Sequence, residues 1–424
     1  MLNPYFVTAL FYLLVAVLAA LDSAATSFAI LPWFNGLRWL RVHFITLGIV
    51  TETIFGVLPI LTARRFSLPT PAVRWDIWAA LNVGLVLLIA GIPIVNEVLI
   101  FTGGALIFTA ATLLAVHLAQ LRGGQAVGAS LKFYIMGLAY LLLGIIVGTG
   151  LWIGWSEPLR IQVPIEVHIH ANNWGFMSLV FAGLLIEVLG GLTGKPLASG
   201  RTINAVFWSM SLGALLLVIG PWLGGPLWAI VPGLVLHLGA TLWLLWLVTR
   251  ALSRAHLWSR PGAWHLVTAY AWILAPVLIA PLIILKVPGF PGAGIEATAP
   301  QALIYGWVLQ FSFALLPYFL GRIFMADRTA QLGGSWWSLL LAHVGSVFIW
   351  ASIFIEPQRN LLHGAAYVLY ALAMAPIAWM VWRMFHGRIQ TLEQKLATEH
   401  PLATEHPLAT EHPLATEHTV DAHT

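Results

Sequence analysis

The sequence predicts an all-α membrane protein of twelve transmembrane helices, arranged as three parallel four-helix repeats. Three observations support this prediction. Hydrophobic residues make up 60% of the 424 residues and charged residues only 8%, which is far outside the composition of a soluble domain. Apolar stretches long enough to cross a bilayer recur along the chain. Matching sets of histidine, glycine and tyrosine return at intervals of about 130 residues, as internal repeats do.

The predicted helices follow from the apolar stretches, because about 20 apolar residues span the hydrocarbon core. They cover residues 5–32, 39–62, 75–95, 97–120, 132–156, 164–192, 203–222, 227–249, 264–286, 298–324, 335–355 and 360–385. The first stretch lacks a basic leader and a small-residue cleavage pattern, so we interpret it as a retained helix. The absence of cysteine excludes disulfides and thiolate metal sites.

The basic residues predict the orientation of the helices. With both termini in the cytoplasm, fifteen of the twenty Lys and Arg residues fall on the cytoplasmic side, as the positive-inside rule requires. Five fall outside: Arg38, Arg41, Arg160, Lys286 and Arg359. We therefore expect a multi-pass protein of a bacterial-type plasma membrane, in contact with lipid. Because topology explains the basic charge, the sequence indicates no nucleic-acid partner.

The repeats are predicted at about residues 1–125, 126–256 and 257–388. The second helix of each unit carries a polar residue followed by two small residues, namely His43, Gly48 and Gly56, then His170, Gly175 and Gly183, then Gln301, Gly306 and Ala314. The first helices share Tyr12, Tyr140 and Tyr270, and the third helices share Gly84, Gly213 and Gly345. Four helices are an even number, so the units are parallel. Inverted repeats are common in secondary transporters, and this pattern weighs against such a carrier.

The motif EVHIHANNWGF opens the sixth helix and contains His168, His170 and Gly175. This H-x-H-x4-G pattern, with the twelve helices and three units, resembles subunit I of the haem–copper oxidases, including the cbb-type oxidases and nitric oxide reductases. The chain is also similar to the twelve-helix NnrS-type nitric oxide response proteins. The resemblance covers about residues 1–388. It implies bound haem, electron transfer or oxygen or nitric oxide chemistry, and a cytochrome c-type electron donor or an accessory subunit.

The chain departs from this pattern at the copper site. Oxidases of this type have a histidine pair in one helix, and no His-His occurs here. Their H-x-H lies on the tenth helix, where this chain has Gln301. We expect no stoichiometric copper. Whether the protein is an oxidoreductase therefore stays open, and the alternatives are an NnrS-type metalloprotein without oxidase activity and a metal-free small-molecule transporter.

Two histidines on facing helices can hold one haem iron, and His43 and His170 begin equivalent helices at one depth. We therefore predict a haem between them. His168 diverges from His170 by about 200° on a helix and is predicted to bind a second haem or metal. Asn172 and Asn173 are candidates to orient an imidazole by hydrogen bonds. The alternative is that all three histidines are interfacial groups bonded to carbonyls and water.

Other histidines, two glutamates and three arginines are further candidates for functional roles. His237, His343 and His363 are predicted metal ligands, with core histidines bonded to neighbours as the alternative. Glu52 and Glu187 are candidate proton-relay groups, with neutral, hydrogen-bonded carboxyls as the alternative. Arginines at the outer surface are predicted to pair with haem propionates, with lipid headgroups as the alternative; they are Arg38, Arg41 and Arg359.

The C-terminal segment 389–424 has a different character. LATEH recurs at 396–400, 402–406, 408–412 and 414–418, with proline between the copies. No packed helix follows a six-residue period, so we predict a disordered cytoplasmic tail.

Overall fold

The computed structural model describes residues 3–30, 37–123, 128–285, 287–325, 327 and 329–399. Within these ranges the chain is almost entirely helical and contains no strand, which confirms the all-α class. The apolar helices are α1 (Pro4–Ser27), α2 (Trp39–Arg65), α3 (Trp75–Gly91), α4 (Glu97–Arg122), α5 (Ala129–Ile153), α6 (Pro164–Thr193), α7 (Gly200–Trp222), α8 (Leu227–Arg254), α9 (Pro261–Ile284), α10 (Gly292–Phe324), α11 (Trp336–Phe354) and α12 (Glu356–Gln394).

Eleven of these helices in the described ranges are long and apolar enough to cross a membrane, which confirms a multi-pass membrane character. The exception is α3, whose 17 residues end at Gly91 instead of the predicted residue 95. At 1.5 Å per residue α3 is about 26 Å long, close to the thickness of a hydrocarbon core.

Three helices form the interior of the bundle. In the most apolar window of α2, α6 and α10, 78%, 72% and 94% of the residues are buried, whereas no other membrane-length helix exceeds 56%. The remaining helices pack around these three, with close pairs α3–α4, α7–α8 and α11–α12, and with α1 against α12. The outer helices present apolar side chains such as Phe11, Val98 and Trp379 at the surface, where lipid would cover them.

Each inner helix contains a stretch of wide π-helical turns, which are rare and often lie at functional sites. The π-helical segments are Phe44–Thr51 in α2, Ala171–Met177 in α6, and Ile304–Val308 and Leu320–Phe324 in α10. The first two begin directly after His43 and His170. The first three lie in the N-terminal half of their helix, which is the predicted outer half, and Leu320–Phe324 lies at the C-terminal end of α10.

A glycine within each of the first three π segments lets an aromatic ring of a neighbouring helix approach the backbone. A Cβ on Gly48 would lie 2.5 Å from the Tyr12 ring, and one on Gly175 would lie 2.3 Å from the Tyr140 ring. A Cβ on Gly306 would lie 2.5 Å from the ring of Trp272, two residues after the tyrosine that the repeat alignment selected. These distances are too short for any side chain other than hydrogen.

Several predicted boundaries differ from the structure, most of all at α10 and at the last helix. Helix α10 begins at Gly292, earlier than the predicted residue 298. The α-helix that contains most of the apolar span α12 runs from Arg359 to Glu399, beyond the predicted helix end at residue 385 and the predicted end of the membrane domain at residue 388. The residues that extend it, QTLEQKLATE, are mostly strong helix formers, and the first proline of the LATEH repeats comes only at position 401. The rest of the predicted tail, 400–424, lies outside the described residues.

Candidate functional site

His43 and His168 lie together between the inner helices α2 and α6. Their ring centroids are 6.3 Å apart and the ring planes differ by 26°. The His43 ring also stacks on Trp39, with 4.2 Å between centroids, and its Nδ1 lies 2.8 Å from the Trp39 carbonyl oxygen. A carbonyl accepts only, so His43 Nδ1 carries the proton and donates it to Trp39. The other ring nitrogen, Nε2, is then the unprotonated one.

The His168 ring packs against helix α5. Nδ1 of His168 donates to the Gly144 carbonyl oxygen at 2.8 Å, and a Cβ on Gly148 would lie 2.5 Å from His168 Cε1. A Cβ on Gly144 would lie 2.4 Å from the Asn172 amide, which donates to the His168 carbonyl at 2.8 Å. Glycines four residues apart therefore let α5 approach α6. The sequence analysis did not select Gly144 and Gly148 as part of the site. Their spacing in GIIVG is nevertheless typical of closely packed membrane helices.

His170 points to a different neighbour. Its Nδ1 donates to the Leu217 carbonyl oxygen of α7 at 2.6 Å, and its ring meets Trp174 edge-on at 6.3 Å. The structure thus places His168, not His170, beside His43, so the predicted pairing of His43 with His170 was wrong. The divergence of His168 and His170 around the helix was predicted correctly.

His43, His168 and His170 share one hydrogen-bonding pattern. Each donates its Nδ1–H to a backbone carbonyl, and within the described part of the chain no hydrogen bond engages its Nε2. Metal-binding histidines are commonly held this way, since the bond at one nitrogen fixes the tautomer and leaves the other nitrogen as the ligand. The sequence could not reveal these bonds, because the acceptors on α5 and α7 are main-chain atoms.

Three other histidines use both ring nitrogens. His237 is buried and contacts the Met210 carbonyl and the Ser178 hydroxyl, each at 3.2 Å. His343 is half-buried; it accepts from Trp272 Nε1 at 2.9 Å and lies 2.8 Å from the Thr268 hydroxyl. His265 is fully buried, with Gln310 and Ser338 each 2.9 Å from a ring nitrogen. His363 meets the Tyr367 ring edge-on at 6.2 Å.

Arg41 is the outer arginine that the structure buries. It is 7% exposed, and its guanidinium lies 4.6 Å from the centre of the Tyr367 ring. Among the described residues no carboxylate lies within 4 Å of the Arg41 guanidinium. The ion pair that this part of the chain does contain joins Arg74 to Asp76. Tyr367 in turn donates a hydrogen bond to Gln301. Arg359 is exposed, and the side chain of Arg38 lies outside the described residues.

The two buried glutamates differ in their partners. Glu187 accepts a hydrogen bond from Ser130 at 2.7 Å, in agreement with the hydrogen-bonded alternative. Glu52 is completely buried in α2, and neither of its carboxylate oxygens has a hydrogen-bond partner in the described part of the chain. Asn173, the second asparagine of the motif, is also buried.

Protein sites for free metal ions use three or four ligands, and among the described residues no three His, Asp or Glu side chains cluster in this way. A haem brings four nitrogens of its own and needs two further ligands at most.

The chain matches no protein-family model and no curated protein. What the site does must therefore be argued from its own geometry.

Proposed function

We propose that the protein is a haem-binding integral membrane protein that transfers electrons in the outer half of the membrane, and that His43 and His168 would hold one haem. The observation that carries this proposal is the pair of half-buried imidazoles on α2 and α6, each with Nδ1 bonded to a carbonyl and Nε2 available. A bound haem would supply one-electron redox chemistry. The chain's own residues would hold the two imidazoles in a fixed tautomer and exclude water.

The separation of the rings supports a shared metal. Two imidazoles that bind one metal through facing nitrogens have centroids about 6 Å apart, given metal–nitrogen bonds of about 2.0–2.1 Å. The observed separation is 6.3 Å. A haem held by both histidines would serve electron transfer and would not bind oxygen or nitric oxide between them.

Arg41 supports the same site. A buried charge is costly unless an opposite charge accompanies it, and among the described residues this guanidinium has no carboxylate partner and lies over the Tyr367 ring. Arg41 lies at the same end of α2 as His43 but about 200° around the helix, so a propionate that extends past α2 towards α12 would meet it. Guanidinium groups bind carboxylates through two parallel hydrogen bonds. Arg41 would thereby neutralise and orient a propionate.

We also propose that α1–α12 are twelve membrane spans in three parallel units, with both termini in the cytoplasm. The support lies in the three inner helices, which are the second helices of the units. Each has a π segment in its predicted outer half, and that segment holds a glycine against an aromatic ring of the preceding helix. The charge distribution sets the orientation. A reporter fused after residue 390 that is active only in the periplasm would contradict this topology.

The haem is tested by spectroscopy of the purified full chain. We expect a Soret band with the narrow visible bands of a low-spin haem. His43→Ala and His168→Ala each remove one axial ligand, so each should convert the low-spin signal to high-spin or abolish haem binding, with haem content measured by the pyridine haemochrome assay.

His170→Ala is the matched control, because His170 is half-buried in the same helix and bonded to a carbonyl in the same way but points to α7. It should leave the low-spin signal of the His43–His168 pair in place. A low-spin spectrum that survives His168→Ala and is lost in His170→Ala would overturn the assignment. A purified protein that takes up no haem would exclude the function altogether.

A further inference from the structure

A second concave site lies at the opposite end of the molecule, on the predicted cytoplasmic side. It is a cavity of about 610 Å³ between α2, α3, α4, α10 and α12. This volume falls in the range of about 300–1,000 Å³ that is usual for ligand pockets. Phe55, the first residue of α2 to line the cavity, comes twelve residues after His43, whereas the π segment Leu320–Phe324 of α10 contributes Ile323 and Phe324 to the walls. His43, His168 and His170 do not line the cavity, which is therefore separate from the histidine site.

The walls of the cavity are mainly apolar. They include aromatic and aliphatic side chains from four helices: Phe55, Ile60, Ile77, Leu114, Ile323 and Phe324. Such walls favour a hydrocarbon chain and disfavour a free inorganic ion, which would lose its hydration there without compensation.

The charged groups of the cavity are basic. Arg388 of α12, His117 of α4 and Arg74 line it beside the uncharged polar residues Asn3, Tyr5 and Thr70, and no acidic side chain of the described residues does. Arg74 is already paired with Asp76, at 2.5 Å. Arg388 has no ion pair within the described part of the chain, and Nε2 of His117 is buried there without a hydrogen-bond partner. The Arg388 guanidinium and the His117 ring are therefore available to a ligand in this apolar cavity.

We propose that this cavity binds an anionic membrane phospholipid, with its phosphodiester on Arg388 and His117 and the start of an acyl chain against the apolar walls. Basic pockets between transmembrane helices on the cytoplasmic side bind the headgroups of anionic lipids. A phosphodiester offers two unesterified oxygens to the two donors. The lipid would also fill the wedge between α12 and the helices α2 and α4, so it would join the last helix to the first four.

The test is native mass spectrometry of the full chain in detergent, titrated with phosphatidylglycerol or with phosphatidylcholine of the same acyl chains. We expect one phosphatidylglycerol per chain and at least tenfold weaker retention of phosphatidylcholine. Arg388→Gln should weaken phosphatidylglycerol binding about fivefold, since one arginine near the surface contributes about 1 kcal/mol towards an anionic lipid. Arg388→Lys should recover most of the affinity.

The matched control is Arg383→Gln, which removes an exposed arginine from the same helix outside the cavity. Equal losses in Arg383→Gln and Arg388→Gln would show that only general surface charge acts, and would overturn the site. Equal retention of the two phospholipids would overturn it as well. If oleate binds as tightly as phosphatidylglycerol and displaces it, the cavity is a fatty-acid site and the phosphodiester assignment is wrong.

Discussion

The histidines of α2 and α6 differ from those of α8, α9 and α11 in one respect, the state of the second ring nitrogen. In the first region, His43, His168 and His170 each give Nδ1–H to a carbonyl and keep Nε2 available. In the second region, side chains occupy both ring nitrogens of His265 and His343. Burial does not separate the two regions, because His343 is half-buried like His43 and His168, whereas His265 is completely buried. The state of the second ring nitrogen separates them.

The partners around each ring account for this difference. Main-chain carbonyls of Trp39, Gly144 and Leu217 meet the Nδ1 atoms of His43, His168 and His170. Glutamine, serine, threonine and tryptophan side chains instead reach both ring nitrogens of His265 and His343. A haem site needs fixed imidazoles with one free nitrogen, and main-chain acceptors on one side supply that arrangement. A structural histidine in a membrane needs both nitrogens satisfied.

The largest expected effect comes from a substitution that displaces the His168 ring and keeps the histidine itself. Gly148→Val would bring a side chain into the His168 ring, since a Cβ already lies 2.5 Å from Cε1. We expect the low-spin haem signal to fall by at least tenfold while the protein still inserts into the membrane. Haem content and the visible spectrum measure this effect.

Gly239→Val is the control for Gly148→Val, because a Cβ on Gly239 meets nothing within 4 Å. It makes the same substitution in another membrane helix and should keep the haem signal. If both variants lose haem equally, the loss reflects general helix destabilisation, and α5 is not the seat of a ligand.

The second effect concerns stability only. His265→Ala leaves a cavity and removes the partner of both Gln310 and Ser338. We expect the free energy of unfolding to fall by about 2–4 kcal/mol, which is usual when a buried, fully bonded side chain is truncated. The spectrum of any bound haem should not change. Unfolding by SDS titration in mixed micelles measures the stability.

The exposed His386 provides the reference for His265→Ala. His386→Ala should change the free energy of unfolding by no more than about 0.5 kcal/mol, as surface substitutions do. A loss of haem in His265→Ala would break the division of the histidines into two classes.

Much of the fold could be predicted from the sequence, because length and hydropathy alone determine which segments can cross a bilayer. The glycines of the inner helices were also predictable, and two of them, Gly48 and Gly175, contact the tyrosines that the repeat alignment selected. The short α3 and the helical extension to Glu399 were not predicted, because hydropathy does not locate caps and breaks.

The pairing of ligands was beyond the sequence for a physical reason. His43 and His170 match in sequence position. Residues at matching positions of two repeated helices need not face each other across the bundle. The partner of His43 is set by how α6 is turned about its axis. That rotation depends on contacts such as Gly148 against the His168 ring, which involve α5. Sequence spacing identified the candidate histidines but left their facing partners undetermined.

The smallest expected effect tests the second class of histidine at its best-defined bond. Trp272 donates to His343 Nδ1, so the proton of His343 must lie on Nε2, which donates to the Thr268 hydroxyl at 2.8 Å. Thr268 donates its own proton to the Trp264 carbonyl. Thr268→Val keeps the shape of the side chain and removes this acceptor, which should cost about 1 kcal/mol of stability.

A double-mutant cycle separates the His343 bond from the rest of that loss. Combining Thr268→Val with His343→Ala should give a coupling energy of about 0.5–1.5 kcal/mol, because the two side chains share one bond. Thr249→Val is the matched control: Thr249 also donates to a carbonyl of its own helix, that of Trp246, but contacts no histidine. It should show no coupling to His343→Ala. If Thr268→Val also shows no coupling energy with His343→Ala, then His343 Nε2 does not form the hydrogen bond to Thr268. His343 would then have a nitrogen available for a ligand, as His43 and His168 do, and the distinction between the two regions would fail at this residue.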